Sequence, residues 1–259
     1  MTPTPPSEQP DIICLHALGG SRHAWDPVAA RCDRVQALDL PGFGDAMAAR
    51  SYDVAAMADH VAHALHRRTR PWLLVGHSMG AKVAALVARR ATDGASALRG
   101  LIGLILIAGS PPCPEPMDDA RRAEMLGWFH DTTTSEAQAD AFITANVATP
   151  LPPAMHDKAV TDLLRMNPLA WTAWLQHGSR EDWSNRIARL QIPTLILAGS
   201  EDGDLGPTAQ RRLMAPHFPR SAVLVIPGGK HLLPLEQPDI VATLIQRFAA
   251  DPYPFFSPQ

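Results

Sequence analysis

The segment Gly76-His77-Ser78-Met79-Gly80 constrains this chain more than any other, because of what flanks it. The apolar run 72–75 precedes it directly, and a run of small residues with helical character, 81–90, follows at once. Such an abrupt change from strand to helix strains the residue at the turn, and glycines on both sides leave room for the two elements to approach. The context predicts that the Ser78 hydroxyl stands exposed at a sheet edge, at a helix N-terminus, as a candidate nucleophile.

Length and composition limit the classes of protein to consider. At 259 residues, 46% of them apolar, the chain accommodates one large α/β domain with an insertion, or two small domains. The formal charge of −3, with both signs interspersed, argues against a nucleic-acid partner and against a basic membrane patch. Residues 1–10 resemble no secretory leader and no apolar run reaches the length of a membrane span, so we expect a cytoplasmic protein with no membrane partner.

Short apolar runs alternate with helical patterns along most of the chain. This alternation predicts an α/β fold with a mostly parallel sheet and helices on both faces. Several runs are apolar nearly throughout, as expected for strands that are buried on both sides. The strand candidates are 11–15, 34–40, 72–75, 103–108, 194–198 and 222–226, and clear helices are expected at 54–67 and from Pro238 onward.

The alternation stops after Ser110 and resumes near Ile192. An excursion of about seventy residues is too long for a loop, so we expect an inserted helical cap at 113–188. The core then comprises 11–110 and 192–250, with Pro-rich tails at 1–10 and 251–259. Helices are expected in the insertion at 117–130, 135–147, 153–166 and 168–178.

Tryptophans are concentrated in this insertion. Trp128, Trp171 and Trp174 are candidates for substrate contacts, because a small helical cap over a sheet edge needs large apolar side chains to close a pocket. The alternative interpretation is that they form the core of the cap itself.

A serine nucleophile needs a base, and the base needs a carboxylate to orient it. Among the 11 histidines, His231 is the best candidate, because it follows strand 222–226 at the sheet edge where open α/β folds place their chemistry. Asp202 follows strand 194–198 in the same way, with Asp204 as a rival and Glu115 as a weaker one. His77 is interpreted as structural.

Acyl transfer also needs backbone donors aimed at the developing oxyanion. One is expected to be the N–H of Met79, directly after the nucleophile. The other is expected to be the N–H of Leu18, in the loop His16-Ala17-Leu18-Gly19-Gly20. The histidines at 60, 63 and 66 share a helix without a supporting carboxylate or cysteine cluster, and we expect neither a metal nor a cofactor.

Together these motifs resemble the α/β-hydrolase superfamily, in its capped esterase, thioesterase and C–C-hydrolase branch. The likeness runs through Leu15-His16-Ala17-Leu18-Gly19-Gly20, Leu38-Asp39-Leu40-Pro41-Gly42-Phe43-Gly44, the Ser78 segment, Ile192 to Gly199, and His231. The resemblance implies the α/β-hydrolase fold and a triad of Ser78, Asp202 and His231. It also implies an oxyanion hole formed by Leu18 and Met79.

The chain departs from the family pattern at three places. Ala17 stands where the family commonly has glycine, and the family's first hairpin is expected to be absent. An extra residue before Pro207 leaves the acid open between Asp202 and Asp204. Ser78 also separates the chain from haloalkane dehalogenases and epoxide hydrolases, which need Asp at that position.

These motifs and the family resemblance predict a serine hydrolase that cleaves a small-molecule ester, thioester or lactone with an apolar acyl part. A C–C bond hydrolase or an acid–base lyase on the same triad is the first alternative, and no residue here separates it from an esterase. A non-catalytic ligand-binding receptor is the second, because a fold alone does not prove catalysis. The sequence leaves the oligomeric state open.

Overall fold

The structure, a computed structural model, describes residues 9–49, 51–66, 68–94, 98–128 and 134–256. One sheet runs through the described residues, with every neighbouring pair of strands parallel and in the spatial order β2-β1-β3-β4-β5-β6. The predicted α/β fold with a mostly parallel sheet is confirmed. The strands are β1 (Asp11–Leu15), β2 (Val35–Leu38), β3 (Trp72–His77), β4 (Leu101–Ile107), β5 (Thr194–Gly199) and β6 (Ser221–Ile226).

The helices of the described residues surround this sheet. They are α1 (Asp26–Ala29), α2 (Val54–Ala64), α3 (Met79–Thr92), α4 (Asp119–Gly127), α5 (Glu136–Ala145), α6 (Pro153–Arg165), α7 (Pro168–Gln176), α8 (Ser184–Ile187), α9 (Pro207–Ala209), α10 (Leu233–Glu236) and α11 (Pro238–Ala250). Short 3-10 turns lie at Arg22–Trp25, Gly178–Arg180, Ala215–His217 and Tyr253–Phe256, and a π-helical turn lies at Gln210–Met214.

The core has two parts, one on each face of the sheet. Successive residues of a strand point to opposite faces, so Leu74 belongs to one part while Leu73 and Val75 belong to the other. Helices α2 and α3 bury their apolar faces on the first side, and α1 and α11 on the second. Because helices cover both faces, the strands are apolar nearly throughout.

Helices α4 to α8 lie between β4 and β5, where the long insertion is expected. We refer to residues 113–188 as the inserted segment. Its helices begin later than predicted where a short polar side chain caps the first turn. Ser135 accepts from the N–H of Gln138 and Asp118 accepts from that of Arg121, so each stands just outside its helix. Residues 129 and 130 of the first predicted helix lie outside the described residues.

The two ends of the chain are described only in part. Residues 1–8, on which the expected absence of a first hairpin depends, and 257–259 lie outside the described residues. Before that end, Phe255 and Phe256 pack on Phe248 of α11.

No helix in the described part of the chain is both long enough and apolar enough to cross a membrane.

Candidate active site

Ser78 lies at the abrupt turn from β3 into α3, in a strained conformation with φ 51° and ψ −116°. The turn depends on the two glycines around it. A Cβ on Gly76 would lie 2.5 Å from the carbonyl oxygen of Gly80, and one on Gly80 would lie 2.7 Å from that of Leu15. Local sequence therefore specifies the turn, because only glycine permits these approaches.

The structure brings the three predicted triad residues together from three separate loops. The Oγ of Ser78 lies 2.9 Å from Nε2 of His231, and Nδ1 of His231 lies 2.8 Å from Oδ2 of Asp202. Ser78 follows β3, Asp202 follows β5 and His231 follows β6, so all three stand at the carboxyl edge of the sheet. Of the three candidate acids, Asp202 is the one in hydrogen-bond contact with His231 among the described residues, whereas Asp204 is exposed.

The electrostatics of this chain of hydrogen bonds favour an ionised Asp202. Burial lowers the pKa of His231, but the charge of Asp202 and its hydrogen bond outweigh that effect and raise the pKa above 6.5. Burial conversely raises the pKa of Asp202, and the charge of His231 and its hydrogen bond reverse the shift and lower the pKa. The pair therefore stabilises an imidazolium that faces Ser78.

Two further histidines form hydrogen bonds to the backbone around Ser78 and His231. The Nε2 of His77 donates to the backbone carbonyl of His231 at 2.7 Å, and burial lowers the pKa of His77 to about 3, so it stays neutral. His16 accepts from the N–H of Leu40 through Nε2 and donates through Nδ1 to the carbonyl of Ala17, which shapes the loop after β1. Both positions agree with a structural role.

The proposed oxyanion donors lie beside the turn. Strand β1 ends next to Gly76 of β3, so the loop that carries Leu18 passes close to the start of α3. Met79 is the first residue of α3, where helix N–H groups lack an acceptor in the helix. Among the described residues, the N–H groups of Leu18 and Met79 have no hydrogen-bond acceptor.

A cavity of about 270 Å³ opens over Ser78 and His231, and we call it the catalytic cavity. Trp174 lines it, together with Glu115, whose pKa burial raises. Trp128 and Trp171 instead stack on each other with ring centroids 5.8 Å apart, and this packing favours their alternative interpretation as core residues of the inserted segment.

Two residues that sequence reasoning missed tie the inserted segment to this site. The carbonyl of Asn146 accepts from the backbone N–H groups of both His231 and Leu232, at 3.1 Å each. The Lys82 ammonium donates to the carbonyls of Gly178 and Glu181 at 3.1 Å. A signal existed for Lys82, a single charge in the buried stretch of α3, but none for Asn146, which acts through its backbone.

The described ranges contain no group of three or more His, Cys, Asp or Glu side chains placed to hold a metal ion. The three cysteines are unpaired, and the pKa of buried Cys14 is raised by its burial, which disfavours the thiolate that binds metals.

Comparison with known proteins places the chain in a family. The sequence profile described as the alpha/beta hydrolase family matches residues 12–244. Among curated proteins, the chain is 25% identical over 242 residues to a pimeloyl-[acyl-carrier protein] methyl ester esterase of Neisseria meningitidis, covering 92% of each chain. It is 26% identical over 261 residues to a 2-succinyl-6-hydroxy-2,4-cyclohexadiene-1-carboxylate synthase of Serratia proteamaculans, covering 95% of each.

Among solved structures, an esterase from Exiguobacterium antarcticum superposes with a TM-score of 0.80 at 16% identity. The match covers 93% of this chain and 91% of the esterase, and at this identity it speaks for the fold alone. The sequence profile spans nearly all of the sheet and both of its helical faces. The chain is an enzyme that belongs to the alpha/beta hydrolase family.

Proposed function

We propose that the chain is a serine hydrolase that cleaves a carboxylic ester through an acyl-enzyme on Ser78. One observation carries the proposal: Oγ of Ser78 lies 2.9 Å from Nε2 of His231, whose Nδ1 lies 2.8 Å from Asp202. This is the geometry that a hydroxyl needs to lose its proton to a base while it attacks a carbonyl. The relatives named as esterases support the ester as the bond that is cleaved.

In the first half-reaction, His231 takes the proton of Ser78 as Oγ bonds to the carbonyl carbon. The N–H groups of Leu18 and Met79 stabilise the oxyanion of the tetrahedral intermediate. His231 then gives its proton to the leaving oxygen, the bond to the alcohol breaks, and the acyl group stays on Ser78. In the second half-reaction, His231 takes a proton from a water whose oxygen bonds to the acyl carbon. The bond from that carbon to Oγ of Ser78 then breaks, His231 returns the proton to Oγ, and the acid leaves. Asp202 remains ionised throughout.

The inserted segment acts in this proposal as a cap over the reaction. Its residues Trp174 and Phe142 line the catalytic cavity together with Ser78, and the backbone carbonyl of its residue Asn146 accepts from the N–H of His231. Apolar walls of this kind exclude water from the first half-reaction and receive an apolar substrate. Thioesters and lactones present the same carbonyl chemistry and belong to the same proposal.

Hydrolysis of p-nitrophenyl esters from acetate to dodecanoate tests the proposal. Ser78→Ala is expected to lower kcat/KM by about 10⁴-fold or more. Ser51→Ala is the matched control, since it removes a hydroxyl near the start of α2, remote from the site. A fluorophosphonate should label the wild type and not Ser78→Ala. An unlabelled wild type without ester turnover would contradict the proposal and favour the receptor alternative.

A second candidate function is an acid–base lyase or C–C hydrolase on the same residues. The relative named as a synthase, 26% identical over 95% of this chain, is the observation that favours it. Fluorophosphonate labelling of Ser78 without turnover of any ester would support this candidate over the esterase.

A further inference from the structure

A second cavity, of about 220 Å³, adjoins the catalytic cavity. It lies between the loop after β1, the 3-10 turn Arg22–Trp25 and helix α6. Leu18, Phe142 and Leu232 line both cavities, so the two meet at these side chains. Each cavity alone is smaller than the ~300–1,000 Å³ of typical small-molecule sites. Two adjoining cavities of this size are therefore best understood as two halves of one site.

The walls of the second cavity favour an apolar ligand. Met155 and Ala159 of α6 line it on one side, and Leu235 on the other. The polar groups among them are already satisfied or neutral. Asp162 accepts from the hydroxyl of Ser21 at 2.6 Å, and the low pKa of His77 keeps that ring uncharged at neutral pH. An alkyl chain here would exchange water for apolar surface without stripping a free charge.

Charged side chains form an exposed part of the cavity lining. Lys158 of α6 pairs with Asp26 of α1, and Nδ1 of His23 lies 3.2 Å from the same carboxylate. Lys158 and Asp26 remain about half exposed, at 47% and 53% of their side-chain surface. The apolar walls thus end in a polar, hydrated cluster. An alkyl chain gains nothing by extending beyond that point.

We propose that the second cavity is the acyl subsite and that the leaving group occupies the catalytic cavity. This inference rests on the proposed ester hydrolysis. The leaving oxygen must take its proton from His231, which lines the catalytic cavity together with Lys230 and Asp204. The acyl group stays on Ser78 and reaches the second cavity between Leu18 and Phe142. The Lys158–Asp26 pair then sets the longest acyl chain that is bound fully.

Filling the cavity tests the assignment. Ala159→Phe should lower the ratio of kcat/KM for octanoate over acetate p-nitrophenyl esters by at least about tenfold, the loss expected when two methylenes lose their apolar contacts. Thr161→Phe is the matched control, because it adds the same ring at an exposed position of α6 outside the cavity lining, and it should leave the ratio unchanged. An unchanged ratio in Ala159→Phe, with folding intact by circular dichroism, overturns the proposal.

A second series decides which part of the substrate the cavity holds. Acetate esters of alcohols from methanol to octanol vary the leaving group alone. The Ala159→Phe change should leave this alcohol profile as in the wild type, and a narrowed alcohol profile with an unchanged acyl profile would overturn the assignment. Lys158→Ala opens the exposed end without disturbing the core, and it should raise the ratio of dodecanoate over octanoate. No rise would contradict the role of the ion pair.

Calorimetric binding of octanoate to Ser78→Ala separates this inference from the proposed function, because it needs no turnover. Weaker octanoate binding after addition of Ala159→Phe supports the acyl subsite. If the wild type also hydrolyses no ester, this result contradicts the proposed reaction alone. If the wild type hydrolyses esters but Ala159→Phe does not change octanoate binding, the proposed reaction is supported and the acyl subsite is overturned.

Discussion

The contact between Asp202 and His231 bears on the pH range of the proposed reaction. The proposed base must be neutral to accept the serine proton, and the charge of Asp202 favours its protonated form. Because the pKa of His231 is raised above 6.5, the neutral form is lost as the pH falls through that raised value. Activity should therefore decline on the acidic side at a higher pH than for an unperturbed histidine.

Asp202→Asn removes the charge that raises this pKa. We expect the acidic limb of kcat/KM to move to lower pH, and the plateau to fall by about 10⁴-fold as the imidazole loses its orientation. The pH profile of ester hydrolysis measures both effects. Asp204→Asn is the matched control, because it removes an exposed carboxylate from the same cavity. A shifted limb in Asp204→Asn and not in Asp202→Asn would reassign the acid.

Helix α3 connects the proposed nucleophile to the inserted segment. Its first residue, Met79, follows Ser78, and one turn later Lys82 reaches the carbonyls after α7. Lys82 is only 1% exposed, and burial lowers its pKa. Its hydrogen-bond acceptors within the described part of the chain are backbone carbonyls, so the ammonium is satisfied there without a carboxylate at hydrogen-bond distance. Helix α3 therefore positions the segment over the site as well as Ser78 within it.

Lys82→Met keeps the length of the side chain and removes its donors. The carbonyls of Gly178 and Glu181 lose their partner, so we expect the free energy of unfolding to fall by about 1–3 kcal/mol. A looser segment should raise KM for long-chain esters more than it lowers kcat. Urea denaturation and steady-state kinetics measure these changes. Arg89→Met on the exposed side of α3 is the control, and an equal effect there would contradict the role of Lys82.

Across the whole molecule, contacts join the inserted segment and the sheet domain at well-separated points. Asn146 binds the backbone of His231, and the N–H of Asn167 donates to the carbonyl of Gly42 at 2.8 Å. Asp162 binds Ser21. These contacts bury polar groups of both parts against each other, so neither part would keep its hydrogen bonds if the other unfolded.

We therefore expect the two parts to unfold together. Trp128, Trp171, Trp174 and Trp183 lie in the inserted segment, so tryptophan fluorescence reports mainly on it, whereas far-ultraviolet circular dichroism reports on the whole chain. Urea transitions followed by the two probes should coincide. A fluorescence transition at clearly lower urea would show that the segment unfolds first and would contradict this expectation.

Local sequence patterns were enough to predict the strands, the helices and the proposed nucleophile. Strands buried on both faces are apolar along their length, which makes them recognisable. Gly76 and Gly80 permit the tight turn that holds Ser78 in its strained conformation, and both are visible in the sequence. His231 and Asp202 could be placed at the same sheet edge, because parallel strands end on one side. Strand patterns, the turn at Ser78 and the position of a residue after a strand all depend on residues that are close in sequence, so they can be predicted from the sequence.

Which side chains come into contact could not be predicted from local patterns and depends on the three-dimensional packing. In the structure Asp202 contacts His231, Trp128 stacks on Trp171, and Trp174 lines the cavity. The contacts of Lys82 and Asn146 with distant residues also belong to this level. Each of these outcomes depends on residues distant in sequence, and rotating a helix of the inserted segment by one residue would change them. Local periodicity determines which face of a helix is buried, but the shape of the surface opposite it determines which atoms come within a hydrogen bond or line a cavity.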